Sequence, residues 1–248
     1  MKGSKRHICW YVNDAPDRLN AALFSASPSL ARAATSDPDW VSPLADDDYD
    51  EFWNERFLER LELLNDHLDS FRKFWPFKPW VNNKVNPRGT PHWDALARVP
   101  LIGGSLGAVL VEAKAHRGEL VKPSDHSKAD AQSLEKIRKS FADVRDFYGV
   151  AEAVAPWESH YYQFCNRLAH LYWMNERAKV PTWLIWVLIV DDPAWPSDAM
   201  TATQWHETFQ LIKTEVGLPA EHPLAEQIRV VYLPAAPEEE LPERLSRT

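Results

Sequence analysis

Two carboxylates and one amine are the side chains of this sequence whose spacing could support chemistry. Asp94 lies in the segment HWDALARV, and Glu112 and Lys114 lie in the segment GAVLVEAKAH. A β-strand alternates its side chains between two faces, so a strand over the second segment places Glu112 and Lys114 on one face and its valines and alanines on the other. Charged groups in such a strand are costly to bury unless they are paired or bind an ion. We therefore expect this face to form a functional site.

A glycine-rich turn, Gly103-Gly104-Ser105, joins the two segments. This connection predicts an antiparallel hairpin, which brings Asp94 beside Glu112. Two carboxylates with room for water molecules are the ligands that Mg²⁺ prefers, and no cluster of His and Cys competes for zinc or a softer metal. The sequence therefore predicts a site for a hard cation on this hairpin.

Asp94 followed by Glu112-Ala113-Lys114 resembles the D…(D/E)-x-K signature of the PD-(D/E)XK nuclease superfamily. The resemblance covers roughly residues 50–192. It implies an α/β fold with a restriction-endonuclease-like αβββαβ core, in which helices flank a central mixed sheet. This sequence departs from the pattern in two respects. Trp93 precedes Asp94 where the family carries Pro, and two helices rather than one are predicted between the third and fourth strands.

The resemblance implies a metal-dependent nuclease, which hydrolyses phosphodiester bonds in nucleic acid, with DNA favoured over RNA as the expected substrate. Asp94 and Glu112 would bind Mg²⁺ or Mn²⁺ with help from the Ala113 carbonyl, and Lys114 would position or activate the attacking water. A catalytically inactive binding or interaction protein on the same scaffold is the alternative interpretation. For that alternative, the acidic net charge and the many tryptophans would be the natural features.

Further candidates come from the neighbouring helices and from the end of the same strand. Some relatives use a Gln on the helix after the third strand, and Gln163 is the candidate here, although Arg167 stands four residues later where they often carry Tyr. His116 fits either a phosphate contact or a surface hydrogen bond. A third acid often comes from the first long helix, where the available residues point away from the apolar stripe, which favours solvent exposure: Glu51, Glu55, Glu59 and Glu62.

The elements that must position these residues follow from the spacing of apolar side chains. Steps of three and four predict a long helix over residues 49–75, and helices are also predicted over residues 127–148, 156–179 and 202–216. The apolar run PTWLIWVLIV predicts a strand buried on both faces in the interior of the sheet. The other predicted strands are HICWYVN, WVNNKVN (80–86), HWDALARV, GAVLVEAKAH and IRVVYLP.

These elements predict a single domain over residues 1–248. We expect an N-terminal extension over residues 1–47, a nuclease-like core over 48–192, and a C-terminal helix-strand addition over 193–248 that ends in a loose tail.

The overall charge favours a local rather than a general site for polyanions. The chain has 36 acidic and 28 basic residues and a formal net charge of −8, the wrong sign for coating nucleic acid nonspecifically. One helix carries basic residues that fit either a phosphate-tracking face or a solvated surface: Lys128, Lys136, Arg138, Lys139 and Arg145.

Two widely spaced cysteines favour a reducing, cytoplasmic location, and the absence of a signal-peptide pattern or a long apolar run predicts no membrane partner. The sequence contains no G-x-G-x-x-G, G-x-x-x-x-G-K-[ST] or G-x-S-x-G motif, which lowers the expectation of dinucleotide, nucleotide or acyl-transfer sites.

Overall fold

A computed structural model of the chain describes residues 3–45, 61, 63, 65–76, 93–120, 129–151, 156–159 and 161–246. In this part of the chain, five strands form one mixed sheet with the order β1-β2-β3-β4-β5. Strand β2 runs antiparallel to both β1 and β3, whereas β3, β4 and β5 are parallel to one another. The strands are β1 (Asp39–Ser42), β2 (Ala95–Pro100), β3 (Leu106–Lys114), β4 (Thr182–Val190) and β5 (Ile228–Pro234).

Helices lie on both faces of the sheet. They are α1 (Ser4–Asn13), α2 (Pro16–Ala26), α3 (Pro28–Ala33), α4 (Leu68–Phe74), α5 (Arg117–Leu120), α6 (Ala131–Tyr148), α7 (Tyr162–Tyr172), α8 (Ala202–Glu215) and α9 (Glu243–Ser246). A π-helical turn, Trp173–Arg177, continues α7, and short 3-10 turns occupy Asn65–His67, Ala225–Gln227 and Glu238–Glu240. The chain is thus an α/β protein with a mixed sheet between helices, as the sequence predicted in its coarse class.

Each face of the sheet is covered by a separate hydrophobic layer. Val111 and Val187 point toward α1 and α2, while Leu110 and Trp186 point toward the layer formed by α6, α7 and α8. Because successive strand residues alternate between faces, one strand supplies side chains to both layers. This two-sided burial explains why β4 is an almost continuous apolar run, and its predicted interior position is confirmed.

The N-terminal segment differs from its prediction. HICWYVN, predicted as a strand, forms part of helix α1, and Ile8, Cys9, Trp10, Tyr11 and Val12 are all buried there. A short run that is apolar on every side fits a buried helix as well as a strand, and packing between α2 and β3 decided in favour of the helix. Residues 4–45, which belong to the predicted N-terminal extension, cover one face of the sheet and supply its edge strand β1.

Several predicted elements are confirmed with small shifts of their ends. Helix α6 begins after Asp130, whose carboxylate accepts the Ser133 N–H at 2.8 Å, and it ends at Gly149 in the left-handed conformation. Helix α8 begins with a capping box formed by Thr201 and Gln204. Strands β2, β3 and β5 and helix α7 also occupy their predicted segments.

Other predictions fall partly or wholly outside the described residues. Of the helix predicted over residues 49–75, the described part contains α4 and the turn before it, and the strand predicted over 80–86 lies outside.

The C-terminal tail was wrongly expected to be loose, since Leu241 and Leu245 are buried in the layer beneath α1. Among the described residues, no helix combines the length and apolar character that crossing a membrane requires.

Candidate functional site

Asp94 lies immediately before β2 and is hydrogen-bonded to β3 through both its backbone and its side chain. Its N–H donates to the Val111 carbonyl at 3.0 Å, and its Oδ2 accepts the Ala113 N–H at 2.7 Å. Because Ala95 pairs with Val111 in the antiparallel register, Asp94 stands opposite Glu112. The hairpin therefore brings the two acids together on neighbouring strands.

Glu112 and Lys114 lie near the carboxyl end of β3 on the face that α7 covers. Val111 and Ala113 point to the opposite layer, so the alternation predicted for this strand is confirmed. Glu112 and Lys114 are only 1% and 6% exposed, respectively. The Lys114 ammonium donates a hydrogen bond to Glu112 Oε1. Burial makes this pair sensitive to the loss of either partner, because a single unpaired charge would remain in the protein interior.

Arg167 of helix α7 completes the cluster, a role that was not predicted from the sequence. Its Nε and Nη2 both donate to Glu112 Oε2, at 2.7 and 2.6 Å. The guanidinium also lies 4.4 Å from the centroid of the Trp93 ring, the residue immediately before Asp94. A charged residue in the middle of an otherwise apolar, aromatic helix signals a buried counter-charge, and this feature could have identified Arg167 from the sequence.

The electrostatics of the cluster differ between its two acids. Burial, reinforced by the neighbouring Glu112 charge, raises the pKa of Asp94 to about 7. For Glu112, burial also favours the neutral form, but Arg167 and Lys114 outweigh it and lower its pKa below the ordinary value. Burial opposes the charge of Lys114, yet the two carboxylates raise its pKa. Lys114 is therefore protonated at neutral pH, which fits a donor or an electrostatic partner better than a general base.

His170 lies one turn beyond Asn166 on α7, in an aromatic setting behind the cluster. Its Nδ1–H donates to the Asn166 carbonyl at 2.8 Å, and its ring contacts Phe71, Trp75 and Trp93 with centroids 5.0 to 6.1 Å apart. Burial, with a further contribution from the Arg167 charge, lowers the pKa of His170 to about 3. His170 is therefore neutral at physiological pH and packs as part of the aromatic core beside the cluster.

The two carboxylates at this site are suitable ligands for Mg²⁺, but the contacts of Glu112 limit the access of an ion to this acid. Two carboxylates from adjacent strands are hard oxygen ligands. Both Glu112 oxygens already accept hydrogen bonds from cations, and one Asp94 oxygen accepts the Ala113 N–H. In the described part of the chain, no group of three or more His, Cys, Asp or Glu side chains is placed to hold a metal ion. An ion bound at Glu112 Oε2 would therefore compete with the Arg167 guanidinium.

The remaining candidates are placed as follows. Gln163 is half-buried, one turn before Arg167 on α7. Ala113 contributes its N–H to Asp94. His116 stacks on Trp195 with ring centroids 4.1 Å apart, so its ring faces that loop. The four glutamates of the first predicted helix lie outside the described residues: Glu51, Glu55, Glu59 and Glu62.

Two of the basic residues on α6 are engaged within the chain. Lys136 donates to the Arg72 carbonyl at 2.9 Å, and Arg138 donates to Glu158 at 3.0 Å. Lys139 is exposed, and Lys128 lies outside the described residues. These contacts favour an ordinary helix surface for the first two residues over a face that tracks phosphates.

No protein-family model matches the sequence, and no curated protein or solved structure shows significant similarity to the chain. The functional interpretation therefore depends on the geometry and electrostatics of the cluster formed by Asp94, Glu112, Lys114 and Arg167.

Proposed function

We propose that this chain is a metal-dependent nuclease of the PD-(D/E)XK type that hydrolyses phosphodiester bonds in nucleic acid, with DNA favoured over RNA. The observation that carries the proposal is the convergence of Asp94 and Glu112 from adjacent strands beside the Lys114 ammonium. A buried cluster of acids and bases is more typical of functional sites than of ordinary packing.

The pairing of the strands around the cluster gives the proposal further support. In the described chain, β2 and β3 form an antiparallel hairpin and β4 lies parallel to β3. This pairing agrees with the hairpin and the parallel crossover of the core that the resemblance implies. Two features differ from that core: helix α4 lies between β1 and β2, and three helices, α5, α6 and α7, lie between β3 and β4.

In the proposed reaction, Asp94 and Glu112 would hold one or two Mg²⁺ ions, whose chemistry would be to polarise the scissile phosphate and to lower the pKa of the attacking water. Lys114 donates a hydrogen bond to the water or to the phosphate and offsets negative charge that develops in the transition state. Its raised pKa supports this positioning and electrostatic role over that of a proton acceptor.

The test compares cleavage of labelled single- and double-stranded DNA and RNA by the wild-type chain and by near-isosteric variants. We expect cleavage to require Mg²⁺ or Mn²⁺, to stop with a chelator, and to fall at least about a hundredfold in Asp94→Asn and Lys114→Met. Asp143→Asn on α6 and Lys73→Met on α4, both exposed, are the matched controls and should keep full activity. Circular dichroism must show that each variant folds. Undiminished cleavage by folded Asp94→Asn and Lys114→Met would reject the assignment.

A noncatalytic binding protein on the same scaffold is the second candidate, and one observation favours it. Lys114 and Arg167 together occupy both Glu112 oxygens, so this acid has cationic partners without a metal ion. Calorimetric titration with Mn²⁺ separates the two candidates. A folded wild-type chain that takes up Mn²⁺ and loses this binding in Asp94→Asn supports the nuclease, whereas absence of uptake under all conditions favours the binding protein.

A further inference from the structure

Arg167 is built into the acidic cluster rather than placed at its edge. The residue is 3% exposed, and two of its N–H groups converge on Glu112 Oε2 while Lys114 occupies Oε1. The guanidinium carries a positive charge. Arg167 and Lys114 therefore supply two positive charges beside Glu112 in the absence of any metal.

A divalent ion at Glu112 Oε2 cannot join this arrangement without a change of partners. Mg²⁺ approaches its oxygen ligands to about 2.0–2.1 Å, so an ion bound at Glu112 Oε2 needs the space and the lone pairs that Arg167 uses. Positive charge on Arg167 also repels an incoming cation in this buried setting, where screening is weak. Arg167 and a metal thus compete for the same carboxylate oxygen.

Arg167 has other contacts that can hold it after Glu112 is released. Its Nη1 lies 3.3 Å from the Asn166 side-chain oxygen, and its guanidinium lies over the Trp93 ring. A cation over an indole face is stabilised by the charge distribution of the ring. The side chain can therefore remain buried and favourably placed while Glu112 turns to a metal.

We propose that Arg167 is a resident counter-cation that competes with divalent metal for Glu112 and so sets the metal affinity of the site. This inference rests on the metal site of the proposed function. It assigns Arg167 a positioning role, since the residue holds Glu112 in the metal-free state and acts on the reaction through that acid.

The experiment measures Mn²⁺ affinity by calorimetry and by electron paramagnetic resonance of free Mn²⁺, independently of nuclease activity. Arg167→Met, which keeps much of the side-chain length without the charge, should bind Mn²⁺ at least about tenfold more tightly than the wild-type chain. Arg138→Met removes an exposed arginine from α6 and should leave the affinity unchanged. Introducing Asp94→Asn into the Arg167→Met chain should abolish the gain.

The outcomes separate this inference from the function on which it rests. Equal Mn²⁺ affinity in the wild type and in Arg167→Met, or weaker binding in the variant, overturns the competition while leaving the metal site in place. Failure of both folded proteins to bind Mn²⁺ overturns the metal site itself.

A second measurement covers the case in which Arg167→Met does not fold. In the wild-type chain, titration with Mg²⁺ followed by NMR of the arginine Nε–H groups should shift the Arg167 signal, assigned with Arg167→Lys. A signal that does not move while Mg²⁺ binds contradicts the competition.

Discussion

Replacing Glu112 by Gln tests how strongly the buried cluster depends on its central acid. The substitution keeps the size of the side chain but removes the charge that faces Lys114 and Arg167, which are 6% and 3% exposed. Removing one partner of a buried ion pair costs about 3–5 kcal/mol, mostly because the other charge stays buried without compensation. We expect Glu112→Gln to lower the free energy of unfolding by about that amount, a large share of the ~5–15 kcal/mol of a typical domain.

Urea unfolding followed by tryptophan fluorescence gives this free energy, and the twelve tryptophans provide a strong signal. Adding Lys114→Met to Glu112→Gln removes one of the uncompensated cations and should restore at least about 1 kcal/mol. Glu135→Gln, an exposed acid on α6, is the matched control and should change stability by less than about 0.5 kcal/mol. A cost below about 1 kcal/mol for Glu112→Gln, or a double variant less stable than the single one, would refute this reasoning.

The remaining predictions concern pH, a helix cap and a close backbone contact. In the folded chain the pKa of His170 is about 3 instead of the ordinary 6.5, so the side chain stays neutral. Below about pH 6.5 this histidine binds a proton in the unfolded chain but not in the folded chain, so the free energy of unfolding falls as the pH drops toward 3. Between about pH 7 and pH 5 this group should cost the wild type about 2 kcal/mol of unfolding free energy, and His170→Gln should remove that cost; an unchanged pH profile in urea unfolding would contradict this. Asp130→Ala deletes the acceptor for the Ser133 N–H and should cost about 1 kcal/mol in the same assay, whereas Asp130→Asn should cost less. Gly107→Ala would place a Cβ 2.7 Å from the Pro181 carbonyl oxygen. The variant should therefore have a lower melting temperature, by an amount equivalent to about 1–3 kcal/mol of unfolding free energy. A variant as stable as the wild type would show that the backbone relaxes this contact without cost.

Local signals in the sequence were sufficient to predict much of the sheet and the helices α6, α7 and α8. The apolar run of β4, the hairpin of β2 and β3, and the cap residues of α6 each act within a few neighbouring residues. Such signals survive folding because strand alternation and helix capping depend on local backbone geometry. The prediction of Asp94 beside Glu112 rested on the same kind of short-range information.

Segments that are apolar on all sides did not reveal their conformation in advance. Residues 7–13 carry no clear period, and their burial between α2 and the sheet made them a helix. The first strand of the sheet likewise came from residues 39–42 in the segment expected to be an extension. In both cases tertiary packing decided between local alternatives of similar energy.

The alternation along β3 already determined, before any packing was known, that Glu112 and Lys114 share a face opposite Val111 and Ala113, because neighbouring strand residues point in opposite directions. Only the folded chain decided that Arg167 would meet Glu112, since 55 residues separate them and their contact depends on how α7 docks against the sheet. That docking places the Arg167 charge beside Glu112 through a long-range contact that no local pattern encodes.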